Sequence, residues 1–71
     1  MVSTNLLKAK IVANGMTQKE LAKRIKRSPN TLNLKINNKK PFDIEEVFAV
    51  CEALSITDPQ EKIDIFLSKT F

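Results

Sequence analysis

At 71 residues the chain has room for one small domain, near the size at which burial only just offsets chain entropy and a second subunit often helps. One Cys and no His exclude an internal disulfide and the usual zinc spacings, and no run approaches the ~20 apolar residues that cross a bilayer, so a soluble, cytoplasmic, metal-free protein is expected. The formal charge of +4 hides an asymmetry: residues 1–41 hold ten Lys or Arg against one acid (+9), whereas residues 42–71 hold two Lys against seven acids (−5), and the basic half invites a polyanion partner.

Taken in order, Ser3 or Thr4 can cap a first helix whose apolar positions Leu7 and Ile11 lie four apart, with Leu6, Ala9 and Val12 widening the stripe. Asn14 and Gly15 stop it, and Gly15, the only glycine, suits the left-handed residue just past a helix end. Met16 is expected to fold back beside Ile11 and Leu21.

Thr17 and Glu20 make a capping box directly before Leu21, Ala22 and Ile25, so a second helix is expected from about Gln18 to Ile25. Ser28 followed by Pro29 is another start signal, a capping hydroxyl and then a ring whose fixed φ suits the first helical position, and it opens a third helix to about Asn37. Only Lys26 and Arg27 connect the two. A link that short forces a steep crossing, which is a helix-turn-helix over about 17–37.

Residues 37–43, NNKKPFD, form a polar connection in which Pro41 ends any preceding helix and Phe42 anchors the loop. Asp43 caps a fourth helix whose Ile44, Val47, Phe48, Cys51 and Leu54 form the expected core stripe, with Ser55 and Ile56 closing it and Cys51 read as a small buried hydrophobe. Asp58 and Pro59 start a fifth helix, about 58–70. Its Ile63, Phe66 and Leu67 read as a core face, with Ile65 and Phe71 left over; Ile65, Phe66 and Phe71 are the candidate partner surface. Val and Ile follow the helical period throughout and no hairpin turn pair occurs, so the fold expected is all-α with five helices.

The phrases TQKELAKRI and SPNTL at this separation, then the Asn-Asn-Lys-Lys run and an amphipathic helix ending EALSI, resemble the helix-turn-helix domain of the Cro and phage-repressor (XRE-like) family over residues 5–57. The resemblance implies a lambda-repressor-like DNA-binding domain, with Pro29, Asn30, Asn33 and Leu34 where base-facing residues usually sit and Gln18 where a phosphate is commonly clamped beside free helix amides. Ser28, Asn37, Asn38, Lys39 and Lys40 are further phosphate-contact candidates, with Arg27 and Lys19 at the edges. Two departures stand out. Lys26 replaces the family's usual turn glycine, and Lys35 falls where the recognition helix usually repeats its core residue, so Ile36 is expected to take the buried role.

Glu45 and Glu46 are adjacent on a helix, point apart and lie in a stretch expected to be exposed, so they make no acid–base pair. There is no phosphate-cradling glycine loop, no metal cluster and no nucleophile beside a base, so neither an enzyme, a cofactor nor a small-molecule substrate is implied. The expected function is a sequence-specific regulator of phage or prophage type, Cro-like, that binds duplex DNA as a homodimer on an operator. The alternative is an interaction protein, an antirepressor or modulator that binds a second, larger repressor through the same fold.

Overall fold

A computed structural model describes residues 1–68, and Phe71, one of the candidate partner residues, lies outside them. Five helices follow one another: α1 (Thr4–Ala13), α2 (Gln18–Arg24), α3 (Pro29–Ile36), α4 (Ile44–Ala53) and α5 (Pro59–Phe66), with no strand among the described residues. Every start is set by the residue that the sequence offers as a cap. The side chains of Ser3, Thr17, Ser28, Asp43 and Asp58 accept from backbone amides of the first turns, and Pro29 and Pro59 take first-turn positions where the missing N–H costs nothing. Thr17 and Glu20 form a reciprocal box, and the Thr17 N–H that Glu20 accepts holds the Glu20 carboxyl below the usual carboxylate range.

The first four helices end alike. The residue after each C-cap turns left-handed, Gly15 at φ 68°, Lys26 at 59°, Asn38 at 61° and Ser55 at 55°. The next N–H then reaches back to a carbonyl of the last turn: Met16 to Ile11, Arg27 to Ala22, Lys39 to Leu34 and Ile56 to Cys51, at 2.8–3.1 Å. Lys26 therefore holds the turn between α2 and α3 in the conformation that glycine adopts freely.

The core gathers Leu7 and Ile11 of α1, Leu21, Ala22 and Ile25 at α2, Leu32 and Ile36 of α3, Val50, Cys51 and Leu54 at α4, Ile56, and Ile65 and Phe66 of α5. α2 packs on α3 and on α4, and α1 packs on α2 and α5. Ile36 is fully buried, as expected from the displaced repeat, and Met16 and Phe42 pack against the core from partly buried positions. Phe42 meets Phe66 edge to face, ring centres 5.8 Å apart at 88°. Cys51 is buried, and burial pushes its thiol pKa up, with Lys62 opposing.

Three expectations about faces need correction. On α1, Leu6, Ala9 and Val12 are exposed and the buried stripe narrows to Leu7 and Ile11. On α4, Ile44 and Phe48 face outward and the buried line runs Glu46, Val50, Leu54, because Glu46 is drawn inward by the contacts described below. On α5, Ile65 and Phe66 are core residues and not a surface, whereas Ile63 and Leu67 are exposed. Two contacts hold α5 in that orientation: the Ser3 N–H donates to the Ile65 carbonyl at 2.7 Å, and Phe66 meets Phe42 from the loop before α4.

A β-carbon in the left-handed region costs ~1–2 kcal/mol, partly offset by the greater freedom that glycine has when unfolded. Lys26→Gly is therefore expected to stabilise the domain by up to about 1 kcal/mol in urea unfolding. A loss of stability would mean that the turn depends on the Lys26 side chain.

Candidate nucleic-acid interface

The outward side of α3 is polar, whereas its inward side is apolar apart from Lys35. Leu32 and Ile36 point to the core, while Pro29, Asn30 and Asn33 are exposed and Leu34 is half-buried beside them. Asn33 is tethered. Its Oδ1 accepts from Gln18 Nε2 at 3.1 Å, which links the start of α2 to the middle of α3, and from Asn37 Nδ2 at 3.1 Å. With both lone pairs of that oxygen engaged, Asn33 presents its amide as a donor, whereas Asn30 keeps both donor and acceptor available.

The cationic candidates divide in two. Lys19, Lys39 and Lys40 are exposed, and no ion pair engages them among the described residues. Arg27 is turned inward: its Nε donates to Glu46 Oε2 at 2.7 Å, its Nη1 donates to the Lys26 carbonyl at 3.2 Å, and its Nη2 lies 3.9 Å from Asp43. The other polar candidates also have internal work. The Ser28 hydroxyl accepts from the Thr31 N–H and donates to the Thr31 hydroxyl, and Asn37 Nδ2 donates to the Asn33 carbonyl at 2.8 Å. Asn38 grips the N-terminal segment at both ends of its amide, accepting from the Val2 N–H and donating to the Val2 carbonyl, each at 2.9 Å. Thr4 adds a hydroxyl donated to the Ile36 carbonyl at 2.7 Å, so the last turn of α3 is fastened to the start of the chain.

The residue that the sequence reading set aside proves central. Glu46 is buried, 2% exposed, not solvent-facing as expected. As the third residue of α4 it closes a capping box with Asp43, and its carboxylate also receives Arg27 from the turn and Lys35 from α3. Burial pushes the Glu46 carboxyl up, but the Asp43 backbone N–H, Lys35 and Arg27 outweigh it and bring the pKa from 4.5 down to about 2. The Asp43-x-x-Glu46 spacing signals the capping box but not the burial, since Glu20 in the box with Thr17 is exposed. A box glutamate bends back over its helix start, and here that start faces α3, where Lys35 occupies an inward position that needs a counter-charge.

A bare polar face on a short helix, flanked by unpaired lysines and packed against a preceding helix, can enter a major groove with its first residues at base edges. The sequence pattern of one family matches residues 7–65, and the chain belongs to that family, the Cro/C1-type helix-turn-helix DNA-binding domains. No curated protein and no solved structure gives a significant match. Among the described residues no helix is long and apolar enough to cross a membrane.

Because the Glu46 pKa is depressed in the folded state, its ionisation adds stability that is fully present above about 4.5 and is lost as pH falls toward about 2. Glu46→Gln is expected to lower stability at neutral pH by ~3 kcal/mol, leaving Lys35 and Arg27 without their counter-charge, and to flatten the stability curve across that acid window. Parallel curves for parent and variant would show that Glu46 does not titrate there.

Proposed function

We propose that the domain is a sequence-specific transcriptional regulator of phage or prophage type, a Cro-like repressor that acts as a dimer and seats α3 of each copy in a major groove of an operator. The observation that carries this reading is the bare polar face of α3 between unpaired lysines, in a chain of the Cro/C1 type. Asn30 pairs with an adenine edge, Asn33 donates to a base acceptor while held by Gln18, and Pro29 and Leu34 meet thymine methyls. Lys39 and Lys40 at the end of α3, with Lys19 and Gln18 at the start of α2, take backbone phosphates on either side. Arg27, Ser28, Asn37 and Asn38 shape the ends of α3 instead.

A second reading, an antirepressor that binds a larger repressor through the same fold, draws on the exposed apolar side chains of α4 and α5, Ile44, Phe48, Ile63 and Leu67. Duplex binding separates the two.

In gel shifts at several salt concentrations, Lys39→Ala and Lys40→Ala are each expected to weaken binding to all sequences alike and to lower the salt slope by about 1, whereas Arg27→Ala, whose charge is balanced internally, leaves the slope unchanged. Asn30→Ala is expected to cost ~1–3 kcal/mol of discrimination while nonspecific affinity stays the same. Unchanged slopes for both lysine variants, together with intact discrimination in Asn30→Ala, would remove α3 and its flank from the interface.

A further inference from the structure

α5 packs chiefly on α1 and α4 on α2, and between α4 and α5, beside the end of α3, lies an open groove of about 570 Å³. Its floor is apolar, with Phe42, Val47 and Phe66, and its flanks carry Ile44, Ile63 and Leu67, which are 69%, 47% and 66% exposed. Phe48, one turn along α4 from Ile44, is 65% exposed and extends the apolar surface beyond the groove. Side chains of this size so bare make a patch of several hundred Å², at the upper end of what a monomer leaves uncovered.

The charge of the lining is one-sided. α4 and α5 hold the acids Glu45, Glu46, Glu52, Glu61 and Asp64 against the single base Lys62, yet no carboxylate lines the groove, and its charged side chains are Lys39, Lys40 and Lys62. The acids are turned elsewhere: Glu46 is buried against Lys35 and Arg27, Glu61 lies 3.1 Å from Lys10, and Asp64 lines a cleft on the α1 side. None of the three groove lysines joins an ion pair among the described residues. An occupant that matches this lining brings apolar bulk and negative charge together.

We propose that the groove takes an amphipathic helix of a partner protein, an apolar stripe flanked by acidic side chains, and that its seating releases DNA. The release rests on the operator reading above, in which Lys39 and Lys40 hold phosphates: the same ammonium groups cannot serve both anions at once. Shape selects a helix. Ile44 and Val47 on α4 and Ile63, Phe66 and Leu67 at α5 are spaced three and four apart, so the walls present ridges between which the apolar stripe of a third helix lies. A small ligand in the groove would leave Phe48 bare, and a flat bilayer would touch the flanks without reaching Phe42 and Phe66 on the floor.

Fluorescence anisotropy with a labelled peptide tests the surface without DNA. The probe is an alanine-based helix with Leu and Phe at i, i+3, i+4 and i+7 and Glu on both flanks, set beside the same peptide with Lys for every Glu. The parent is expected to bind the acidic peptide and to hold the basic one about tenfold more weakly or worse. Lys62→Gln, outside the proposed DNA contacts, is expected to weaken the acidic peptide about two- to fivefold and to leave duplex affinity unchanged. Ile44→Gln and Leu67→Gln, at positions too exposed to unfold the core, are expected to weaken it about tenfold or more with unchanged helical circular dichroism and duplex binding. Val12→Gln, on the outer face of α1 at a side chain 74% exposed, is expected to change neither. In competition, the acidic peptide is expected to displace labelled duplex from the parent and not, at the same concentration, from Leu67→Gln. No binding of the acidic peptide, equal binding of both peptides, or binding indifferent to the groove variants overturns the proposal, as does a peptide that seats in the groove while duplex stays bound. Binding to vesicles of phosphatidylcholine and phosphatidylglycerol in preference to the peptide overturns it in favour of a lipid surface. A parent that takes the acidic peptide through the groove but binds no duplex overturns the operator reading and the release, and leaves the docking surface standing.

Discussion

The placement of α3 depends on one buried carboxylate. Glu46 holds the start of α4 through its capping box, the turn between α2 and α3 through Arg27, and α3 itself through Lys35, whose side chain is only 13% exposed. Three segments thus share one counter-charge. Buried ion pairs add little net stability over apolar packing, but breaking one leaves charge stranded, and their directional bonds admit few alternative packings. Lys35 displaces the family's usual core position and in return fixes the rotation of α3, which decides that Asn30 and Asn33 face outward while Leu32 and Ile36 face in.

The starts of the helices were legible because caps are local chemistry. Ser3, Thr17, Ser28, Asp43 and Asp58 each stand before an apolar-periodic run, and each caps in the structure. Helix rotation was less legible wherever apolar residues outnumber one face. α4 carries Ile44, Val47, Phe48, Val50, Cys51 and Leu54, and periodicity admits more than one stripe through them; Glu46 chooses among these, and a glutamate does not announce burial. α5 has the same ambiguity in Ile63, Ile65, Phe66 and Leu67, settled by the Ser3 to Ile65 hydrogen bond across 62 positions of chain. Left-handed ends at Lys26 and Ser55 were harder still, since geometry imposes them without the glycine that usually marks them.

The outward face of α3 shows a similar division. Residue type and position identified the polar side of α3, but not which polar side chains are already engaged. Those nearest helix ends serve the ends first: Ser28 caps α3, Asn37 bonds back to Asn33, and Asn38 clasps Val2. The exposed lysines have no such tie, so the charge asymmetry read from the sequence survives at Lys19, Lys39 and Lys40, whereas Arg27 and Lys35 share the Glu46 carboxylate and Arg27 also lies 3.9 Å from Asp43.

The central claim is that α3, held by Glu46, is the element that meets DNA. The most direct measurement is a titration of the isotope-labelled protein with duplex DNA followed by amide and side-chain NMR shifts. The account predicts that the largest changes fall on Asn30 to Leu34, including the Asn30 and Asn33 carboxamides, with smaller ones at Gln18, Lys19, Lys39 and Lys40, while the outer face of α1 around Val12 stays unmoved. Shifts confined to α4 and α5, with α3 silent at saturating DNA, would contradict it.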